Sequence, residues 1–309
     1  MEAISTPESR FDNLKDYPFA AHYVEVGGGL RMHYVDEGIN GVNANGGVIL
    51  MLHGEPSWSY LYRHMIRHCV AAGYRVIAPD LIGFGKSDKP TQVKDYSFQS
   101  HMDWITAFIE KLDLNNITLF GQDWGSLIGL RLAAEQQQRF SRMVIGNGML
   151  PTGEVSQFKG SNKVAPLAFL TWRSFAVFSP WLPIARIINF ACQKKLTSDE
   201  IRAYDAPFPS KKYKAGARAF PKLVPITPND PATEANKAAW KTLEKWDKPF
   251  LTCFSTGDPI TGGFDKVLQR RIPGAEAQSH IRVQGGHFLQ EDSPLELSQA
   301  IIELIETTQ

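Results

Sequence analysis

Cysteine is scarce in this sequence, and long apolar runs are missing. The 309 residues include three cysteines, Cys69, Cys192 and Cys253, with no CxxC spacing. An odd count without that spacing indicates neither a disulfide framework nor a zinc site. No stretch approaches the roughly 18 apolar residues of a membrane span, and the N-terminus lacks the apolar centre of a signal peptide. We therefore expect a cytoplasmic protein without a catalytic cysteine, in which an exposed Cys192 is available to bridge two subunits.

An excess of charge of one sign is also missing. The chain has 33 basic and 32 acidic residues, for a formal net charge of +1, and no run of lysine or arginine. This balance predicts no nucleic-acid or membrane partner. The length allows one large core, or one core that carries an inserted sub-domain.

Strand and helix patterns alternate along most of the chain. Continuous apolar runs are typical of strands buried on both faces. Such alternation predicts an α/β protein with a mostly parallel, eight-stranded sheet flanked by helices, and an initial hairpin makes the sheet mixed. The expected strands are His22–Val26, Leu30–Asp36, Val48–Leu52, Tyr74–Ala78, Ile117–Phe120, Met143–Ile145, Pro249–Ser255 and His280–Val283.

The alternation stops between about Pro151 and Pro231. Prolines recur there, and the segments between them are aromatic-rich and helical in character. This pattern predicts a helical insertion, residues 151–231, in a core made of residues 1–150 and 232–309. Ligands of open α/β sheets bind beyond the carboxyl ends of the strands, where such an insertion would act as a lid.

The strongest motif is Gly121-Gln122-Asp123-Trp124-Gly125, between a predicted strand and a predicted helix. Small residues on both sides of a central side chain are typical of a nucleophile elbow. The alternative is that Asp123 only caps the helix. A carboxylate with a pKa of about 3.9 is already charged at neutral pH. Asp123 is therefore predicted to attack saturated carbon directly and to form an alkyl ester.

Two further residues follow later strands and complete a triad. His287, after two glycines, is the candidate base that activates water to hydrolyse the ester. Asp258 is the candidate acid that orients the imidazole and stabilises its charged form. The chain order Asp123, Asp258, His287 is the nucleophile–acid–base order of α/β-hydrolases.

His53-Gly54-Glu55-Pro56 follows the strand that should supply an oxyanion-hole N–H. We expect the backbone N–H groups of Glu55 and Trp124 to point at the ester oxygen, and the Glu55 side chain to position the hydrolytic water. The Trp124 indole is a donor without an acceptor, which suits a weakly hydrated halide ion. A second indole should come from the insertion, which contains Trp172 and Trp181, and the spacing does not choose between them.

Taken together, these motifs resemble those of haloalkane dehalogenases. The resemblance is carried by residues 53–63 (HGEPSWSYLYR), 80–90 (DLIGFGKSDKP) and 122–125 (QDWG), and it extends through the insertion to Gly286-His287. It implies the α/β-hydrolase fold with an inserted helical cap over an apolar pocket. It also implies hydrolysis of a haloalkane, with water, to a primary alcohol, a halide ion and a proton, without a cofactor or a metal.

The resemblance assigns several residues that spacing alone does not. It implies that Trp124 and Trp172 bind the halide and that Asp258 is the triad acid. A second subfamily has its acid one strand earlier, where this chain has Asn147. Phe169 and Phe220 are expected in the pocket wall. The chain is expected to be a monomer or a homodimer.

Epoxide hydrolases, which share the Asp-His-Asp triad, are the alternative. They use two tyrosines of the cap as donors to the epoxide oxygen, and the insertion contains Tyr204 and Tyr213. Glu55 in HGEP and the tryptophan pair favour the dehalogenase. A non-catalytic receptor of the same fold is disfavoured because no triad member is missing.

Overall fold

The computed structural model describes residues 1–42, 47–154 and 165–308. The strands of these parts are β1 (Ala3–Ile4), β2 (His22–Glu25), β3 (Arg31–Glu37), β4 (Val48–Leu52), β5 (Val76–Pro79), β6 (Lys89–Pro90), β7 (Ile117–Gln122), β8 (Phe140–Gly146), β9 (Phe250–Ser255) and β10 (Ile281–Val283). The α-helices are α1 (Arg63–Ala71), α2 (Phe98–Lys111), α3 (Trp124–Glu135), α4 (Ala165–Phe178), α5 (Ile184–Ala191), α6 (Ser198–Asp205), α7 (Ala215–Leu223), α8 (Thr233–Leu243), α9 (Phe264–Arg271), α10 (Leu289–Asp292) and α11 (Pro294–Thr307).

Eight strands form the main sheet in the order β10-β9-β8-β7-β4-β5-β3-β2. The pairs from β10 to β5 are parallel, whereas β3 pairs antiparallel with both β5 and β2. β1 and β6 form a separate antiparallel pair. The predicted fold class, a mostly parallel eight-stranded sheet with an initial hairpin, is confirmed.

The central strands are buried along their whole length. Every residue of β4, β7 and β9 is buried, which is expected where helices cover both faces of a parallel sheet. The strand before the elbow is longer than predicted, because Gly121 and Gln122 continue its register against β8. The helix after it begins earlier, at Trp124 rather than at Ser126. Strand and helix therefore meet at Asp123 with no loop between them.

Five α-helices, α4 to α8, lie between β8 and β9 in the described part of this segment, and no strand interrupts them there. The first four, α4 to α7, fall within the predicted insertion. Residues 155–164 of the predicted insertion are outside the described residues. Elsewhere in it, α4 packs against α7 and α5 packs against α6. No α-helix in the described parts of the chain has both the length and the apolar character needed to cross a membrane.

All three cysteines are buried and free of disulfides. The expectation of an exposed Cys192 is therefore wrong, since this side chain is 4% exposed. It lies where the end of α5 approaches the loop before α10, and burial raises the pKa of its thiol. A buried, protonated thiol is a poor partner for an intersubunit disulfide.

Candidate active site

The nucleophile elbow is built by close backbone approaches around Asp123. Asp123 has φ 51° and ψ −124°, a conformation that costs a non-glycine residue about 1–3 kcal/mol and is concentrated at functional sites. A Cβ on Gly125 would lie 1.8 Å from the carbonyl oxygen of Leu52, and one on Gly54 would lie 2.4 Å from Asp123 Cβ. These positions therefore require glycine. The Asp123 side chain makes no capping hydrogen bond to α3, so it is not engaged as an ordinary helix cap.

Asp123, His287 and Asp258 come together at the carboxyl ends of β7, β10 and β9. His287 Nε2 lies 3.4 Å from Asp123 Oδ2, and His287 Nδ1 lies 3.1 Å from Asp258 Oδ2. The contact between His287 Nδ1 and Asp258 Oδ2 is within ion-pair distance, but its geometry is not that of a hydrogen bond. The Asp123 side chain is 22% exposed, against 6% for His287 and 0% for Asp258. The carboxylate predicted as nucleophile is thus the most accessible of the three.

The two carboxylates determine the charge of the imidazole. Burial by itself would lower the pKa of His287, but the negative charges of Asp258 and Asp123, both within ion-pair distance, raise it to about 10. Asp258 is buried, which opposes its ionisation, yet His287 and the Thr261 hydroxyl lower its pKa below the ordinary value. The two acidic side chains therefore favour the protonated imidazolium form of His287 in the free site.

Asp258 is held by the turn that follows it. Its carboxylate accepts hydrogen bonds from the backbone N–H groups of Ile260, at 2.9 Å, and Thr261, at 3.1 Å, and from the Thr261 hydroxyl. These donors restrict the carboxylate to one orientation and stabilise its charge. The turn thereby keeps Oδ2 directed at His287.

Glu55 contributes a backbone donor and an unusual side chain. Its N–H donates to Asp123 Oδ1 at 2.7 Å, where the predicted oxyanion donor should be. Its carboxyl group is buried, and Oε1 has no hydrogen-bond partner. Burial, reinforced by the charge of Asp123, raises the pKa of this carboxyl well above its ordinary value. A neutral acid explains how Glu55 can lie beside Asp123 without a second negative charge.

A cavity of about 610 Å³ opens above Asp123. Asp123, Glu55 and His287 line it together with mostly apolar side chains, an arrangement typical of small-molecule sites. Both predicted halide-binding residues and one of the two predicted pocket phenylalanines belong to the lining. These are Trp124 at the start of α3, and Trp172 and Phe169 on α4.

Phe220 is not among the residues that line the cavity, contrary to the prediction. It is fully buried behind Trp124, and the two rings are stacked with centroids 4.3 Å apart and 14° between their planes. Its neighbour Pro221 lines the cavity instead. A helix presents adjacent residues to different sides, so Phe220 on α7 supports the indole rather than contacting a ligand.

The tyrosines that an epoxide hydrolase would need are elsewhere. Tyr204 is buried and its hydroxyl donates to Glu291, away from the cavity. Tyr213 packs against the core and is not part of the lining either. Within the described parts of the chain, the residues around the cavity include no tyrosine.

Two amides that sequence reasoning did not assign hold the His287 loop. Asn147 Nδ2 donates to the carbonyl oxygens of Gly286 and His287 at 2.9 and 3.0 Å, and the backbone carbonyl oxygen of Asn147 accepts from Asp123 N at 3.1 Å. Gln122 Nε2 donates to the His287 carbonyl at 3.1 Å and lies 3.2 Å from its Nε2. The available signal was their position at the ends of β7 and β8, beside the predicted triad.

Comparison with known proteins gives similarities that extend over nearly the whole chain. A family profile described as the alpha/beta hydrolase fold matches residues 47–182. The chain is 52% identical over 306 residues to the haloalkane dehalogenase of Mycolicibacterium paratuberculosis, with 98% of each chain covered. It is 49% identical over 310 residues to that of Psychrobacter cryohalolentis, with 99% of this chain and 98% of the relative covered.

A solved structure agrees with these sequence matches. The backbone superposes on the tetrameric haloalkane dehalogenase DpaA from Paraglaciecola agarilytica NO2 with a TM-score of 0.88, at 34% identity and 98% coverage of each chain. The superposition therefore includes α4 to α7 as well as the sheet.

Proposed function

The chain belongs to the haloalkane dehalogenase family, and on that premise we propose that it hydrolyses carbon–halogen bonds with Asp123 as the nucleophile. The observation that carries this proposal is the position of Asp123. Its carboxylate lies on a mostly apolar cavity, with His287 Nε2 3.4 Å from Oδ2 and a backbone N–H 2.7 Å from Oδ1.

The first step is a displacement at saturated carbon. A carboxylate oxygen of Asp123 forms a bond to the carbon as the carbon–halogen bond breaks, and the electron pair of that bond leaves with the halide. The products are an alkyl ester on Asp123 and a halide ion. Trp124 and Trp172 line the same cavity, and their indole N–H groups would donate to the departing halide. No general acid is needed, because a halide leaves as a stable anion.

The second step is hydrolysis of that ester. His287 takes a proton from water as the water oxygen bonds to the carbonyl carbon of the ester, Cγ of Asp123. Collapse of the addition intermediate breaks the bond to the alkoxide oxygen, which takes the proton from His287 and leaves as the alcohol. The carboxyl group of Asp123 then loses a proton, which restores the carboxylate. The N–H of Glu55, and that of Trp124, would stabilise the negative oxygen of the addition intermediate. The negative charge of Asp123 is one cause of the raised pKa of His287, and this charge is absent from the ester. Alkylation therefore removes one of the charges that keep His287 protonated and lowers its pKa, which favours its action as a base.

We propose that residues 151–231 form a cap on a core of residues 1–150 and 232–309. Support comes from α4 and α5, which contribute Trp172, Phe175 and Phe190 to the cavity lining. The state as monomer or homodimer and the cytoplasmic location remain predictions.

The test of the proposed function is a halide-release assay. We expect the protein to release bromide from 1-bromobutane and 1,2-dibromoethane and to leave styrene oxide unopened. Asp123→Asn, assayed fresh to avoid deamidation, should lose release by a factor on the order of 10³ or more, because an amide is not a competent nucleophile. Native-rate bromide release by this variant, or epoxide opening without bromide release, would exclude the proposal.

Trp172→Phe should weaken halide binding. The substitution keeps an aromatic ring and removes one N–H donor, and a bond to a charged acceptor contributes about 1.5–3 kcal/mol. Bromide affinity, measured by quenching of intrinsic fluorescence, is expected to fall roughly 10- to 100-fold. The control is Trp181→Phe, since Trp181 belongs to the same insertion, is 62% exposed and does not line the cavity. Unchanged affinity in Trp172→Phe would remove this residue from the halide site.

Glu55→Gln should alter the pH dependence of stability in a defined direction. The pKa of Glu55 is raised in the folded protein, whereas an unfolded glutamate ionises near about 4.3. Above that pH the unfolded state binds fewer protons at this position, so wild-type stability falls as pH rises. Glutamine does not titrate. The melting temperature of Glu55→Gln relative to wild type is therefore expected to increase between about pH 4 and pH 7; a constant difference would show that Glu55 is charged.

A further inference from the structure

The loop that carries His287 is tied to the inserted segment by the carboxylate of Asp292, at the end of α10. Asp292 Oδ2 accepts from the backbone N–H groups of Gly286 at 2.7 Å and Gln193 at 3.1 Å, and Oδ1 accepts from that of Lys194 at 2.7 Å. Gly286 immediately precedes His287, and the other two residues follow α5. One side chain therefore joins two backbone segments that are about a hundred residues apart.

Two more hydrogen bonds join the same segments. The N–H of His287 donates to the carbonyl oxygen of Ala191 at 2.8 Å, and Gln193 Nε2 donates to the carbonyl oxygen of Gly285 at 3.1 Å. The backbones are in direct contact, since a Cβ on Gly286 would lie 2.1 Å from the Ala191 oxygen. The contact has no room for an adjustable side chain.

We propose that Asp292 is a positioning residue for the second step of the reaction, holding residues 191–194 against the His287 loop so that Nε2 faces the ester and its water. This inference rests on the proposed function. Asp292 itself does not line the cavity, but two of the residues that donate to it, Gly286 and Gln193, do. It therefore acts through the backbone of these residues and not by touching a ligand.

The position of His287 matters unequally in the two steps. Displacement of the halide needs the Asp123 carboxylate and the indole donors of Trp124 and Trp172, which lie at the end of β7 and on α3 and α4, outside the His287 loop. Hydrolysis needs Nε2 within hydrogen-bond distance of a water that also reaches the ester carbon. A displacement of about 1 Å at such a point can cost on the order of 100-fold in rate. Loosening of the Asp292 contacts should therefore slow hydrolysis selectively.

Asp292→Asn tests the proposal with minimal change in shape. An amide has one acceptor oxygen, so its NH₂ group must face at least one of the three N–H donors. Gln193→Ala is the milder second variant, because it removes a single bond from an exposed residue. Asp199→Asn is the matched control, an exposed aspartate in the same inserted segment. Rapid-quench reactions with 1-bromobutane would give the alkylation rate from first-turnover bromide and the hydrolysis rate from decay of the ester, followed by mass spectrometry.

For Asp292→Asn we expect hydrolysis to slow on the order of 10- to 100-fold while alkylation changes by less than about twofold. Gln193→Ala should show a smaller effect in the same direction, and Asp199→Asn should match wild type. Partial unfolding would reduce the amplitude of the bromide burst without changing the ratio of the two rates. The proposal would be overturned if alkylation and hydrolysis slowed equally. It would also be overturned if neither step slowed in Asp292→Asn or in Gln193→Ala. Failure of the wild-type protein to form the ester would instead overturn the proposed function.

Discussion

Replacement of His287 by glutamine is expected to leave the first-turnover release of halide intact and to stop the protein with an alkyl group on Asp123. The nucleophile is an anion that needs no base, whereas water needs one to attack the ester. General-base catalysis contributes about 10²–10⁴-fold, so hydrolysis should fall by that factor. Incubation with 1-bromobutane followed by mass spectrometry of the intact chain and its peptides should find one butyl group, on Asp123.

The charge balance of the site makes this result informative. His287 forms an ion pair with both carboxylates, and its loss removes the cation closest to Asp123. Glutamine retains donors, so Asp123 remains accessible and hydrogen-bonded through the Glu55 N–H. His68→Gln, the same substitution at an exposed position of α1, should turn over like wild type. Full turnover without a trapped adduct in His287→Gln would assign the base to another residue.

Arg63→Met is expected to cause the largest loss of stability. The Arg63 guanidinium is fully buried and donates to Glu291 Oε1 and Oε2, at 2.5 and 2.9 Å, and to Glu200 at 3.0 Å. Tyr204 also donates to Glu291. These residues connect α1, α6 and α10. Removal of the cation leaves two buried carboxylates unpaired, which costs about 3–5 kcal/mol of unfolding free energy.

Denaturant and thermal unfolding would measure this loss, which corresponds to a decrease in melting temperature on the order of 10 °C. Arg67→Met is the matched control, because Arg67 lies one turn further along the same helix and its pair with Asp16 is exposed. Exposed pairs contribute about 0–1 kcal/mol, so the control should change little. Combining Arg63→Met with Glu291→Gln should recover part of the loss, since one unpaired charge is then absent. Equal stability of the two arginine variants would contradict the interpretation.

The sequence by itself determined the fold class, the order of the strands in the chain and the candidate nucleophile, base and acid. These follow from local features. Five consecutive apolar residues in β4 require burial on both faces, and glycines around Asp123 permit a turn that no other residue allows. Because parallel strands end at one edge of the sheet, residues far apart in the chain could be predicted to meet there.

Only the tertiary structure decided which side chains of the insertion reach the cavity and which groups carry charge. Phe169 and Trp172 line the cavity, whereas Phe220 lies behind Trp124 and Cys192 is buried. The raised pKa of Glu55 likewise depends on its surroundings. Helix orientation, burial and electrostatic environment arise from contacts between segments distant in the chain, and local periodicity contains no information about those contacts.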